Sequence, residues 1–405
     1  MKRLKVVYLT SVPIATSQRN GGSICCRNHL RRVADDDAID CVAYLVGSEA
    51  HREACVLEAR RSCEIARYFP ISVDGLSITA PPPGASFGQR RWPFMHEYAA
   101  MGNRAAISEI SSALDADAPD VIVVDHLYSA LFLSDAVFKR WPVVTILLNR
   151  EVDFFNEIVR RGMRFYDAPP SPFAASRLRR FASAVVRDSA GVVAIGRNDL
   201  PRRGRQAGKF NVVEPYLDAA EVPWQGSEST SLFFIGSHHH YPNALAIEWI
   251  ARCFAPAIWR LRPDIRLRIM GMDAAEAPLN YHAPNVKFLG FGDDEAAQAL
   301  FVGSAGLLAP ITNNFGAKFK LTEAASFGTP FFASAAALSG MSYIPNAEVI
   351  DLGDPDGAAK QIATAVEPAR LAAYHRAIRA SHRAYVQAQQ GRWSAIAVAA
   401  IARFG

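Results

Sequence analysis

Short β-prone runs alternate with longer segments of helical spacing along nearly the whole chain, and this alternation is the strongest constraint on its fold. In the first half the runs are KVVYLT (5–10), IDCVAYLVG (39–47), DVIVVD (120–125), PVVTILL (142–148), GVVAI (191–195) and KFNVVEP (209–215). Segments such as GSICCRNHLRRVAD and NRAAISEISSALDAD lie between them, with apolar residues spaced for one face of a helix. Strand, helix, strand in repetition predicts βα units on a parallel sheet. The polar stretch DAAEVPWQGSESTS (218–231) interrupts the pattern and reads as a linker. The alternation restarts with SLFFIG (231–236), DIRLRIMG (264–271), NVKFLG (285–290), AGLLAP (305–310) and TPFFAS (329–334). The expected fold class is therefore α/β with two Rossmann-like domains, residues 1–217 and 218–375. Residues 376–405 form a helical end whose apolar AIAVAAIARFG needs a surface to cover it.

A chain of 405 residues is long for a single core, which agrees with two domains. Its formal charge of +5 is too small an excess to indicate nucleic acid, yet it suits anionic ligands. The six cysteines (Cys25, Cys26, Cys41, Cys55, Cys63 and Cys253) show neither a CxxC pair nor metal-ligand spacing. Free thiols in a reducing compartment follow. No apolar run approaches about eighteen residues, and KVVYLT is too short for the core of a signal peptide. A cytoplasmic protein is the expectation.

Residues 315–334, FGAKFKLTEAASFGTPFFAS, place a glycine, two lysines and a glutamate at the mouth of a small-residue helix that lies between two buried strands. A helix N-terminus offers unpaired N–H groups to an anion, lysine adds a full charge, and a carboxylate can accept two hydrogen bonds from a diol. An i,i+3 surface pair between Lys320 and Glu323 is the plainer alternative. His238, His239 and His240 are consecutive, so they cannot easily converge on one metal ion. No metal site is expected.

The stretch LFFIGSHHHYPNALAIEWIARCFAPAIWRLRPDIRLRIMG, followed by NVKFLGFGDDEAAQALFVGSAGLLAPI and GAKFKLTEAASFGTP, resembles the GT-B glycosyltransferases, specifically their family-four (group 1) type. The likeness covers about residues 231–340 well and the first half only in patches. It implies two domains facing across a cleft, a nucleotide-sugar donor bound by the second domain, and C-terminal helices that return to the first. By this resemblance Gly236, Ser237, Gly316, Lys318, Lys320 and Glu323 bind the donor, with Glu323 on the ribose and the lysines near the phosphates. Many relatives carry a second glutamate in a Glu-x-Phe-Gly loop, where this chain reads TNNFGAKF with Asn313 and Asn314.

In the first half the loop SVPIATSQRNGGSICC (11–26) resembles a glycine loop facing the donor phosphates, with Gly21 and Gly22 as its donor-side residues. His126 follows DVIVVD and is expected to point from a strand end toward the donor sugar, as a hydrogen-bond donor to developing charge. LLNREVDFF (147–155) resembles a family segment whose acidic member is matched to Asp153. That carboxylate would act as general base in an inverting enzyme, or cap the following helix. PPPGASFGQRRWPF (81–94) and residues 160–188 mix arginines with aromatics, which suits a lipid-linked acceptor at an anionic membrane.

The expected function is transfer of a sugar from a UDP-sugar or GDP-sugar to a glycan, lipid-linked or small-molecule acceptor, in cell-surface polysaccharide or glycolipid synthesis. No separate cofactor and no nucleic-acid partner are expected, and contact with the inner membrane face would be peripheral. A nucleotide-sugar epimerase of the same fold and a silent nucleotide-sugar-binding subunit are the alternatives.

Overall fold

The computed structural model describes residues 2–16, 21–72, 100, 103–161, 172–200, 208–344 and 347–405. The chain divides into two compact units, one made of Met1–Val213 with Gln390–Gly405 and the other of Glu214–Gln389.

The first unit is built on a seven-stranded sheet: β1 (Leu4–Thr10), β2 (Ile39–Gly47), β3 (Ile65–Pro70), β4 (Val121–Asp125), β5 (Val143–Leu147), β6 (Gly191–Ala194) and β7 (Phe210–Val212). Their order is β3-β2-β1-β4-β5-β6-β7, and every neighbouring pair is parallel. The strands carry apolar runs because crossover helices cover both faces of such a sheet. These helices include α1 (Gly21–Ala34), α2 (Arg52–Arg60), α3 (Arg104–Asp117), α4 (Asp135–Arg140), α5 (Glu151–Arg160) and α6 (Pro172–Asp188). Strand order reverses between β1 and β4, so the loops leaving those two strands diverge, and ligands bind parallel sheets at such a point.

The second unit repeats the plan with β8 (Ser231–Ile235), β9 (Arg266–Met270), β10 (Val286–Phe288), β11 (Gly306–Ala309), β12 (Phe331–Ala333) and β13 (Glu348–Val349). The order is β10-β9-β8-β11-β12-β13, with the reversal between β8 and β11. Its helices are α7 (Tyr241–Trp249), α8 (Ala255–Leu261), α9 (Asp294–Gly303), α10 (Phe319–Phe327), α11 (Pro355–Ala365) and α12 (Pro368–Ala388). A single π-helical turn, Ile250–Phe254, joins α7 to α8.

Two expectations about organisation need revision. The stretch 218–231 is no free linker: Trp224 is buried and donates from Nε1 to the Ser304 carbonyl (2.6 Å), and its own N–H bonds the Phe327 carbonyl. A Cβ on Gly226 would stand 2.1 Å from the Ser304 oxygen, so the strap lies flat against the unit. The break in the chain's organisation therefore comes at Val213/Glu214 rather than 217/218. The helical end also splits. Helix α12 belongs to the second unit, with Leu371 and Ile378 in that unit's core, and only residues from Gln390 belong to the first.

Helix α13 (Arg392–Phe404) packs on β4, β5, β6 and α1 through Trp393, Ile396, Ala397 and Ala400, all buried. Its first turn is held by Asp36, whose Oδ2 accepts from Ser394 N at 2.9 Å, and its last by Arg403, which donates to the carbonyls of Ala190 and Gly208. Burying Trp393 and Ile396 alone is worth roughly 1.5–3 kcal/mol apiece. Deleting residues 391–405 is therefore expected to make the protein aggregate or to lower the melting temperature of the first unit, read by calorimetry and size-exclusion chromatography. A soluble truncation with an unchanged transition would contradict this packing.

Candidate functional site

In the second unit the chain leaves β8, β9 and β10 through glycines with positive φ: Gly236 (151°), Gly271 (109°) and Gly290 (69°). A Cβ on Gly271 would lie 2.4 Å from the Gly236 oxygen, and one on Gly236 would lie 2.8 Å from both Asn243 and the Lys320 ammonium. Side chains larger than hydrogen are excluded here because backbones and side chains converge. Asn243, in the first turn of α7, donates from Nδ2 to the Ser237 carbonyl (3.0 Å) and accepts from Lys320 Nζ at Oδ1 (2.9 Å). It ties the Gly236–Ser237 turn to the mouth of α10.

Lys320 has its ammonium 4.0 Å above the ring of Phe234, a residue of β8. Burial first, and the neighbouring Lys318 ammonium second, push its pKa down to about 7, while Glu323 pulls the other way. Lys318 is placed differently: its Nζ donates to the carbonyls of Phe315 (2.6 Å) and Gly316 (3.0 Å), within its own loop, where Gly316 adopts φ 61°. Glu323 is half-buried one turn into α10, and Asn313 donates from Nδ2 to the Tyr241 hydroxyl at 3.4 Å. Gly236, Ser237 and Lys320 thus gather around Asn243 at the switch point of the second sheet, with Glu323 further along α10 and Gly316 and Lys318 forming the adjoining loop.

The three histidines go three ways. His238 lies within 3.0 Å of the Gly271 oxygen through Nδ1 and 3.5 Å of Glu276 through Nε2, and His239 stacks on Phe291. Although His240 is exposed, desolvation and the charges of Lys320 and Lys318 lower its pKa to about 4, which leaves it neutral. Among the described residues no group of three His, Cys, Asp or Glu side chains is placed to hold a metal ion.

At the switch point of the first sheet, Asp125 ends β4 with no exposure to solvent. Its Oδ2 lies 2.9 Å from His29 Nδ1 and also meets the Tyr8 hydroxyl. Burial alone would push the His29 pKa down, but Cys25 and Asp125 outweigh it and hold it well above the ordinary histidine value. Burial likewise opposes ionisation of Asp125, and His29 reverses this, leaving the carboxyl below its usual range. We read the pair as imidazolium and carboxylate. Trp393 of α13 closes over it, edge-on to His29 at 6.0 Å. The Asp125 carbonyl accepts from Ser129 Oγ (2.6 Å), which in turn accepts from Ser11 N (2.8 Å), so the loops after β1 and β4 are tied together.

His126 follows with φ 74° and ψ 133°, a conformation that costs a non-glycine residue about 1–3 kcal/mol. Its Nδ1 accepts from Tyr128 N (3.3 Å) and its Nε2 lies 3.2 Å from Glu151 Oε1. Tyr128 closes the ring by donating from its hydroxyl to Glu151 Oε2 (3.2 Å). The acid beside His126 is therefore Glu151, which is 7% exposed, and not Asp153. Asp153 is 44% exposed and pairs with Arg150 at 3.1 Å. The N-cap of α5 is Arg150 with no side-chain cap, so Asp153 does not cap the helix either. Gly21 and Gly22 open α1, and a Cβ on Gly21 would meet no neighbour within 4 Å; the space there does not demand glycine.

Residues 229–367 match the model of the family described as glycosyl transferases group 1, a stretch inside the second unit that holds Gly236, Asn243, Lys320 and Glu323. No curated protein sequence matches the chain. Among solved structures, Anabaena HepE in complex with UDP and glucose is 14% identical with a TM-score of 0.62, over 98% of this chain and 98% of that one. Sucrose-phosphate synthase from Thermosynechococcus elongatus gives 14% and 0.64 over 98% and 97%, and the calicheamicin glycosyltransferase CalG4 gives 14% and 0.51 over 99% and 98%. The fold is GT-B. Its second unit resembles the group 1 glycosyltransferases.

Within this GT-B chain, sequence reasoning missed Asn243 and Glu151 as site residues. Pro242-Asn243 at a helix start was the visible signal for the first. For the second it was the helical phase, since Glu151, Phe155 and Ile158 form the buried face of α5. PPPGASFGQRRWPF lies outside the described residues. Of the second arginine segment, α6 is an amphipathic helix that buries Leu178 and Val185 and exposes Arg179 and Arg180.

The depressed lysine makes a stability prediction. The folded pKa of about 7 lies below the ordinary lysine value of 10.5, so the unfolded chain binds more protons between these limits and stability rises with pH across that window. The penalty is complete below 7 and fades toward 10.5. Lys320→Met is accordingly expected to raise the melting temperature by a few degrees (about 3 °C) at pH 6. The advantage should shrink by pH 10, and an advantage that is independent of pH would show that the ammonium is not strained by burial.

Proposed function

We propose that this protein is a glycosyltransferase that moves a hexose from a nucleotide diphosphate sugar to an acceptor hydroxyl. The observation that carries the reading is the convergence of Gly236, Asn243 and Lys320 at the switch point of a sheet whose sequence matches group 1 glycosyltransferases. A lysine held near neutrality by burial gains most when a diphosphate arrives, because the anion restores the charge that burial disfavours. Glu323, one turn along the same helix, suits a ribose diol as a two-site acceptor. Lys320 and the N–H groups at the mouth of α10 would stabilise the departing diphosphate in place of a metal. UDP-sugars and GDP-sugars are the candidate donors, and HepE, which shares the fold, was solved with UDP-glucose.

On the acceptor side, the exposed Arg179 and Arg180 of α6, with Phe173 nearby, support a glycan or lipid-linked acceptor presented at an anionic membrane face. Cell-surface polysaccharide or glycolipid synthesis in the cytoplasm fits that acceptor and the six free cysteines. No described helix is long and apolar enough to cross a membrane, and the contact proposed here is a peripheral one. A second reading, a catalytically silent subunit that keeps only the nucleotide-sugar pocket, is favoured by one observation: amides, Asn313 and Asn314, stand where relatives carry a loop carboxylate.

Calorimetric titration with UDP and GDP tests the reading. One of them is expected to bind, and Glu323→Ala should weaken it at least tenfold while shifting the melting temperature by less than about 2 °C, as expected for a partly exposed helix position. Unchanged affinity in the variant would remove Glu323 from the donor site. Binding without turnover of UDP-glucose or GDP-mannose, even by hydrolysis, would select the silent subunit.

A further inference from the structure

The first three residues of the second unit, Glu214, Pro215 and Tyr216, belong to no helix or strand, yet side chains hold each of them. Glu214 is buried, and its Oε2 accepts from both Ser342 N and Ser342 Oγ at 2.9 Å. Its carbonyl accepts from the Tyr385 hydroxyl (3.1 Å), and the carbonyl of Pro215 accepts from the Tyr343 hydroxyl (3.2 Å). Tyr343 and Tyr385 stack at 4.3 Å with their rings 12° apart, and Tyr216 meets Tyr385 edge-on at 5.7 Å. One aromatic pair thus aims both hydroxyls at the segment.

Tyr343 also faces α10. Thr322, fully buried in that helix next to Glu323, has its hydroxyl 3.8 Å from Met341 Sδ. Burial first, then Tyr385 and Glu214, push the Tyr343 pKa well above the usual phenol range, while a hydrogen bond from Thr322 acts the other way. A threonine hydroxyl has one proton, and a phenol oxygen accepts it better than a thioether sulfur does. Tyr343 directs its own O–H at Pro215, so the order Thr322, Tyr343, Pro215 runs from donor to acceptor without conflict.

We propose that Tyr343 is a positioning residue of the donor site: its hydroxyl bridges the anchored segment Glu214–Tyr216 to Thr322 and so fixes the rotation of α10, which carries Lys320 and Glu323. Ala324, Ala325 and Ser326 make up much of the buried face of α10, and side chains so small key a helix's rotation weakly. A hydrogen bond is directional and supplies what they lack. Turning a helix by about 20° moves a side-chain tip at its outer radius by about 2 Å, and a misplacement of about 1 Å is already felt at a reacting centre. The role rests on the reading of Lys320 and Glu323 as donor-binding residues.

Tyr343→Phe removes the hydroxyl and keeps the ring on Tyr385. In calorimetric titration, whichever of UDP and GDP the wild type binds should bind this variant about threefold to thirtyfold more weakly, the range over which such networks act. Thr322→Val should give a similar loss, and the double variant should be no weaker than either single one, because both break the same bridge. Tyr385→Phe, whose lost hydroxyl serves the Glu214 carbonyl, should lower the melting temperature comparably and leave the affinity within twofold. Unchanged affinity in Tyr343→Phe, losses that add in full with Thr322→Val, or an equal loss in Tyr385→Phe overturns the proposal and leaves the donor-site reading standing. A wild type that binds neither nucleotide removes that reading, and this role with it.

Discussion

Every neighbouring strand pair in both sheets is parallel, and the rest of the structure follows from that pairing. Each parallel connection must cross the sheet, so helices cover both faces and the strands become apolar throughout. Polar chemistry is left with the ends of the strands. The same crossovers carry the chain in opposite directions on either side of β1/β4 and β8/β11, so that consecutive loops splay apart at one place in each sheet. His126 stands at the first of these places and Gly236 with Lys320 at the second, although nothing in the local propensity of either segment distinguishes it from other strand ends.

The two switch points handle charge in opposite ways. In the first unit Asp125 is fully buried, and His29, facing its Oδ2 at 2.9 Å, holds the carboxyl below its usual range against the effect of burial. Removing one partner of such a pair leaves the other uncompensated, typically at a cost of about 3–5 kcal/mol, so this arrangement serves stability and shape. In the second unit Lys320 has an amide oxygen and an aromatic face for its neighbours, and its pKa falls toward neutrality. A carboxylate pair would have spent the lysine's charge inside the protein. An amide leaves most of it available to an incoming anion.

The central strands were legible because burial on both faces writes itself as continuous Val, Ile, Leu and Phe. The edges were not. Strand β3 reads IARYFP with alternating exposure, and β13 is only Glu348–Val349; both lie at a sheet's margin, where one side is open and the apolar signal fades. The strap around Trp224 looked like a linker because its residues are polar, yet one tryptophan with a bonded indole N–H suffices to dock it. The donor-side residues came from a resemblance in sequence, while the histidine's true partner had to come from geometry. Glu151 and Asp153 are two apart on α5, hence about 200° apart around its axis, and cannot share a face. Counting apolar residues at 155 and 158 would have put Glu151 on the inner side.

The same attention to direction separates the two lysines of GAKFKLTEA. They differ by two positions, one being the N-cap of α10 and the other inside its first turn. Lys318 turns its ammonium back onto the carbonyls of Phe315 and Gly316, bracing a loop that must take a left-handed step at Gly316. Lys320 turns toward β8 and Asn243, where a Cβ on Gly236 would touch it. Their charges still act on each other, since Lys318 contributes to the lowered pKa of Lys320. Burial is the larger cause of that lowering, and Lys318 adds to it by holding a positive charge close without neutralising it.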